Sequence, residues 1–140
     1  ILRKQHPNLN FGNCDLEHGR SILNKKELLL LEATVKNREI LTQAKKTLFE
    51  NELNHSKMGR LLLDHHIVLR DLLKVSTDKI DKMIDVSMDA GALGAKINGS
   101  GGGGCMFAYA PENPQKVANA ITRIGGHAYI IHSDDGSRIA

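Results

Sequence analysis

The stretch Gly91-Ala92-Leu93-Gly94-Ala95-Lys96-Ile97-Asn98-Gly99-Ser100-Gly101-Gly102-Gly103-Gly104-Cys105-Met106-Phe107-Ala108-Tyr109 decides how the chain folds. Seven of the thirteen glycines in the sequence fall between Gly91 and Gly104, and no regular element survives such a density. To the left of the glycines, Ala95 to Asn98 predict a short strand; to the right, Cys105 to Tyr109 predict another. A glycine loop thus joins two strands. Consecutive amides from Gly99 to Gly104 suit a concave anion site, because residues without Cβ reach positive φ freely and let an anion approach the main chain. A flexible hairpin loop is the other reading of the same composition. The loop lacks the Lys-Ser or Lys-Thr that completes a Walker A motif, and it does not open a helix as a dinucleotide fingerprint does.

Upstream, Asn24 with Glu27 three residues on reads as a capping box, and Leu30, Ala33, Ile40, Leu41, Ala44 and Leu48 predict one helix to about Leu48. A second helix is expected to restart at Asn51, with Met58, Leu61, Leu62, His65, Val68, Leu69 and Leu72 on its apolar stripe. Ser76 is expected to cap a third helix that Gly91 stops. Downstream, Asn113-Pro114 opens a fourth helix that ends at Gly125. His127 to His132 predict a strand, and Asp135-Gly136 a turn into a short closing strand. Residues 1–23 read as an irregular lead-in or linker, and residues 24–140 as one domain. The order predicts an α+β domain of the ferredoxin-like type: a two-layer sandwich with a small, mainly antiparallel sheet and several helices on one face.

Composition narrows the function classes. With 140 residues, 41% apolar and 25% charged, the chain is long and apolar enough to bury a core, which disfavours disorder. No apolar run approaches the roughly 20 residues of a membrane span, so no membrane partner is expected. A net charge of +3 from dispersed residues gives no basic footprint. With two Tyr, three Phe and no Trp for stacking, no nucleic-acid partner is expected either. Two cysteines without metal spacing point to a reducing compartment. The chain opens at Ile1 without a signal peptide, so a cytoplasmic fragment of a longer protein is expected.

The segment Gly94 to Cys105 closely resembles the third motif of the GHMP kinases, named for galactokinase, homoserine kinase, mevalonate kinase and phosphomevalonate kinase. Asn37-Arg38, Leu69-Arg70-Asp71, Val75-Ser76, Ile80-Asp81 and the terminal Asp135-Gly136-Ser137-Arg138-Ile139 are similar to the galactokinase branch. Ser100 followed by four glycines, and His65-His66 before the Leu-Arg-Asp, depart from that branch, and the run itself looks more like mevalonate or heptose kinases. The resemblance covers residues 28–140 and implies a C-terminal domain that works with an N-terminal GHMP kinase domain. That missing domain would carry the phosphate loop, the catalytic acidic residue and most contacts to ATP and Mg. A small-molecule acceptor is implied, with a sugar such as galactose expected, and the chain by itself is expected to be inactive. The alternatives are a mevalonate or heptose-phosphate kinase, or a stand-alone ferredoxin-like ligand-binding module.

The resemblance makes Asn98, Gly99, Ser100, Gly101, Gly102, Gly103 and Gly104 the candidate phosphate-side and cleft-shaping residues, with no catalytic or metal-binding residue assigned. Ser100 reads equally as a phosphate donor and as a local turn hydroxyl, and Asn98 as a residue that bonds across the loop or faces substrate. Cys105 reads as core packing at the start of a buried strand. His65 reads as a core histidine with His66 pointing elsewhere, and Arg70 and Asp71 as a structural pair at a helix end.

Overall fold

The computed structural model describes residues 4, 7–10, 12–132 and 136. Their helices are α1 (Leu16–Arg20), α2 (Lys25–Leu48), α3 (His55–Ile67), α4 (Asp78–Asp89) and α5 (Pro114–Arg123), and their strands are β1 (Gly94–Ile97) and β2 (Met106–Tyr109). The fold is α+β, as expected.

The helix starts follow from local side-chain chemistry. Asn24 and Glu27 close a reciprocal capping box on α2, satisfying two amides that the first turn leaves free. The second helix begins later than expected: Asn54 accepts from the Lys57 amide at 2.9 Å, so residues 51–54 stay outside it. Its last turn widens into a π-helical segment, Val68–Leu72, which ends where Lys74 takes a φ of +55°. Thr77, not Ser76, caps α4 by accepting from the Ile80 amide; the Ser76 hydroxyl is bonded instead to Asp81.

The sheet is a single antiparallel hairpin with Gly94 opposite Tyr109 and Ile97 opposite Met106. Ala95 and Ile97 point into a core that they share with Ile80, Met83 and Ile84 of α4 and Val117 and Ile121 of α5. Helix α3 takes a different place, packed against β1 at Gly94. The backbones touch there because Gly59 on the helix meets Gly94 on the strand; a Cβ built on Gly94 would lie 1.9 Å from the Gly59 carbonyl oxygen. The lead-in is not wholly irregular: α1 is capped by Asp15, and Leu9 and Cys14 pack on Leu31 and Val35 of α2. Arg38 ties the two together through a 2.7 Å bond from Nη1 to the Cys14 carbonyl.

The expected strand His127 to His132 does not form; these residues pair with no strand among those described. Tyr129 and Ile131 are more than four-fifths exposed while Ala128 is partly buried against the core. The segment lines the cleft without a partner strand, and a short apolar run does not by itself distinguish the two outcomes. The expected closing strand after Asp135-Gly136 lies outside the described residues, Gly136 excepted. No helix among the described residues is long and apolar enough to cross a membrane.

Candidate functional site

The glycine loop, residues 98–105, leaves the hairpin at one end of a cleft of about 910 Å³. Asn98, Gly103, Gly104 and Cys105 line the cleft together with Thr77 and Lys79 at the start of α4, and β2, the apolar faces of α4 and α5 and residues 127–132 complete the wall. The loop is closed at its base by the Asn98 amide, which donates to the Cys105 carbonyl at 2.9 Å. The Asn98 side chain reaches across to Cys105 Sγ at 3.8 Å, so Asn98 bonds across the loop.

The loop backbone is one that side chains with a Cβ rarely adopt: φ is positive at Gly99 and at every residue from Gly101 to Gly104. The Gly102 amide donates to the Val75 carbonyl at 2.7 Å, which docks the loop on the linker between the π-helical segment and α4. Gly101 sits so close to that linker that a Cβ would lie 2.5 Å from the Val75 oxygen. One amide of the expected anion site is therefore committed to the fold. The amides of Gly101, Gly103 and Gly104 bond no acceptor among the described residues, and a Cβ at Gly102, Gly103 or Gly104 would meet nothing within 4 Å. An outer rim of unpaired amides beside open space fits a phosphate group of a nucleotide such as ATP. Ser100 is exposed and makes no hydrogen bond among the described residues. Among the described residues no group of three or more His, Cys, Asp or Glu side chains is placed to hold a metal ion.

Two expectations about side chains are reversed. Cys105 is exposed beside the cleft rather than buried, because β2 begins one residue later, at Met106. His66, not His65, is the core histidine: it is 1% exposed and bonds Asp81 and the Ile97 amide, while His65 is half-buried. The stripe through Met58, Leu61 and Val68 was the legible one; the second buried face, Gly59 to His66, exists because Gly59 lets β1 approach. Glycine inside a helical pattern was its one sequence signal.

Burial holds the His66 imidazole below its ordinary value, outweighing the Asp81 carboxylate that raises it. Burial also lowers Lys96. That ammonium donates to the Ile97 carbonyl at 2.8 Å and lies 5.3 Å from the centre of the Phe107 ring, so it braces the hairpin. Arg70 and Asp71 bond each other in a bidentate pair at 2.8 and 3.1 Å on the exposed side of the π-helical segment.

Comparison with known proteins gives a consistent relationship. Residues 30–127 match the family described as GHMP kinases C terminal. The mevalonate kinase of Thermococcus onnurineus is 47% identical over 105 residues, which cover 72% of this chain and 31% of that protein. The galactokinase of Clostridium tetani is 28% identical over 122 residues, covering 75% of this chain and 31% of that protein. Among solved structures, Lactococcus lactis galactokinase complexed with galactose matches with a TM-score of 0.73 at 24% identity, covering 88% of this chain and 34% of that one. The L. major mevalonate kinase in complex with R-mevalonate matches with a TM-score of 0.57 at 23% identity, covering 80% and 34%. At these identities the structural likenesses bear on the fold alone. The chain spans about a third of the length of the curated relatives it matches.

Proposed function

The chain belongs to the GHMP kinases C-terminal family, and from that premise we propose that it is the C-terminal domain of an ATP-dependent small-molecule kinase, with mevalonate as the acceptor. The observation that carries the acceptor is the 47% identity to a mevalonate kinase over 105 residues, against 28% to a galactokinase over a similar span. The galactose expectation rested on the similarity of Asn37-Arg38, Leu69-Arg70-Asp71, Val75-Ser76, Ile80-Asp81 and the terminal Gly136-Ser137-Arg138 to the galactokinase branch. Arg70 and Asp71 are occupied with each other on the exposed side of the fold, away from the cleft lining, so they give no reason to prefer a sugar.

In this reading the domain positions rather than reacts. Phosphoryl transfer is governed by placement and by stabilisation of charge on the transferred group. The Gly102–Val75 bond fixes the loop, and Gly103 and Gly104, which line the cleft and whose amides bond no acceptor among the described residues, are the donors proposed for the nucleotide phosphates. The bound nucleotide supplies the transferred phosphoryl group. The remaining apparatus, a phosphate loop and an acidic residue near the acceptor hydroxyl, belongs to the N-terminal domain of the longer protein, so the 140 residues alone turn over no ATP. A single panel assay tests the acceptor: the full-length protein with ATP and, in turn, mevalonate, galactose and a heptose phosphate. Phosphorylation of mevalonate alone is the expected result; turnover of galactose without mevalonate overturns the acceptor and leaves the kinase reading intact.

A further inference from the structure

Three polar side chains, on α3, on α4 and on the linker before α4, form one hydrogen-bonded set that makes no bond to the glycine loop itself. His66 on α3 places Nε2 at 3.1 Å from Asp81 Oδ1 on α4, and its Nδ1 accepts from the Ile97 amide of β1 at 3.4 Å. A backbone amide only donates, so Nδ1 is unprotonated and the neutral ring carries its hydrogen on Nε2, aimed at the carboxylate. Ser76 donates its hydroxyl to the same Asp81 oxygen at 2.5 Å.

The two ends of this string of bonds each lie one residue from an anchor of the loop. Ile97 precedes Asn98, whose amide closes the loop base on Cys105. Because the Asn98 amide points toward β2, the alternation of a strand turns the Ile97 amide to the outer edge, where only His66 receives it. At the other end, Ser76 follows Val75, whose carbonyl holds the Gly102 amide at 2.7 Å. A fully buried imidazole on a helix face otherwise made of Met58, Gly59 and Leu61 is a costly way to fill space, because an apolar side chain of similar size would fill it without desolvating three polar groups. What the polar set adds is a fixed distance between two backbone points.

We propose that His66, Asp81 and Ser76 form a positioning relay that sets the separation of the two loop anchors, Asn98 and Val75, and through them the conformation of the glycine loop at the cleft. Its effect on turnover rests on the kinase reading above; the anchoring does not. None of the three side chains lines the cleft; they act through the backbone.

The test uses the full-length protein, with amide hydrogen exchange and steady-state kinetics measured on the same variants. In Ser76→Ala, a partly buried position, exchange at Gly102 is expected to rise about tenfold while amides of α2 stay unchanged. The kcat is expected to fall roughly threefold to tenfold with KM for ATP nearly constant, because misplacement is felt in the transition state. His66→Leu should show the same pattern more strongly, and His66→Gln, which keeps one acceptor and one donor, should recover most of it. Unchanged Gly102 exchange in both Ser76→Ala and His66→Leu overturns the relay. So does a rise that α2 shares in proportion, which marks the cluster as ordinary packing. If the wild-type protein turns over no ATP, the kinase reading fails while the exchange data still decide the anchoring.

Discussion

Glycine serves two opposite purposes within a few ångströms of β1. Gly59 and Gly94 are needed for what they lack in volume: the helix and strand backbones touch, and a Cβ on either would enter the other's main chain. Neither has a positive φ. Gly102, Gly103 and Gly104 are the reverse, with positive φ and open space where a side chain would stand. The first pair is a packing requirement and belongs to stability. The second set is a conformational requirement of the loop beside the cleft, and under the proposed function its importance lies in activity. Gly101 carries both, with a φ of +85° and the Val75 backbone 2.5 Å from its missing Cβ.

The sharpest way to break this contrast is to add one methyl group on each side of it. Gly94→Ala forces a backbone contact of 1.9 Å that no rotamer relieves, so α3 must leave the strand. A loss of about 3 kcal/mol in denaturant unfolding is expected. Gly59→Ala meets the Leu93 carbonyl at 2.3 Å but gains about 1 kcal/mol of helix propensity, so it should cost less. The double variant should cost less than the sum, since either change already separates the same two backbones. Full additivity would show that the two glycines are not one contact.

Gly102→Ala should do the opposite. Its methyl meets open space, and the left-handed backbone costs about 1 kcal/mol in a loop able to relax. If the proposed kinase reading holds, kcat of the full-length protein should fall roughly tenfold or more, because a Cβ at a positive φ disturbs the loop whose next two residues, Gly103 and Gly104, line the cleft. A variant that melts early yet keeps normal kcat in its folded fraction would make the loop a packing element and erase the distinction.

How much of this was legible in sequence depended on whether the signal was local. The capping box at Asn24 and Glu27, the glycine run and the two strands beside it were readable because each is set by neighbours within four residues. The docking of the loop was not, since the Val75 carbonyl that receives Gly102 has no side-chain signature. The exchange of His65 for His66 has the same origin: the stripe was phased on leucines, whereas the buried imidazole follows Gly59, seven residues earlier and two turns down the helix. The strand expected at His127 to His132 shows the limit from the other side: a short apolar run that finds no partner edge among the described residues.

Acid should act on the packing side of the contrast first. His66 is held below its ordinary value chiefly by burial, against the opposing pull of Asp81; His65 is lowered by burial, then by Lys96 and His66. A histidine kept neutral by the fold is protonated more readily in the unfolded chain, so stability is fully present above the unfolded value of about 6.5. It is lost as pH falls from there through the lower folded values. Unfolding midpoints in urea should therefore drop between pH 7.5 and 5, and His66→Gln should flatten that slope. Asp71, held below the usual carboxylate range by Arg70, acts only in more acid solution. A midpoint that stays level to pH 5 would remove the neutral buried imidazole from the account.

The smallest expected effect concerns a residue that takes the loop's conformation without being glycine. Lys74, exposed at a φ of +55°, lets the chain turn out of the π-helical segment; the Leu73 amide bonds the Val68 carbonyl and the Val75 amide the Leu69 carbonyl on either side of it. A left-handed residue with a Cβ costs about 1 kcal/mol, of which glycine would remove most. Glycine also gives the unfolded chain more freedom, returning about 0.5 kcal/mol. Asp71 loses a nearby ammonium, a surface effect of a few tenths of a kcal/mol at most. Lys74→Gly should thus raise Tm by about 1–2 °C. The turn itself survives the change, so Val75 keeps its place, and Gly102 should remain as protected from exchange as in the wild type. A gain in Tm accompanied by faster exchange at Gly102 would show that the lysine stiffens the anchor, and that the positive φ at position 74 serves the loop as well as the helix end.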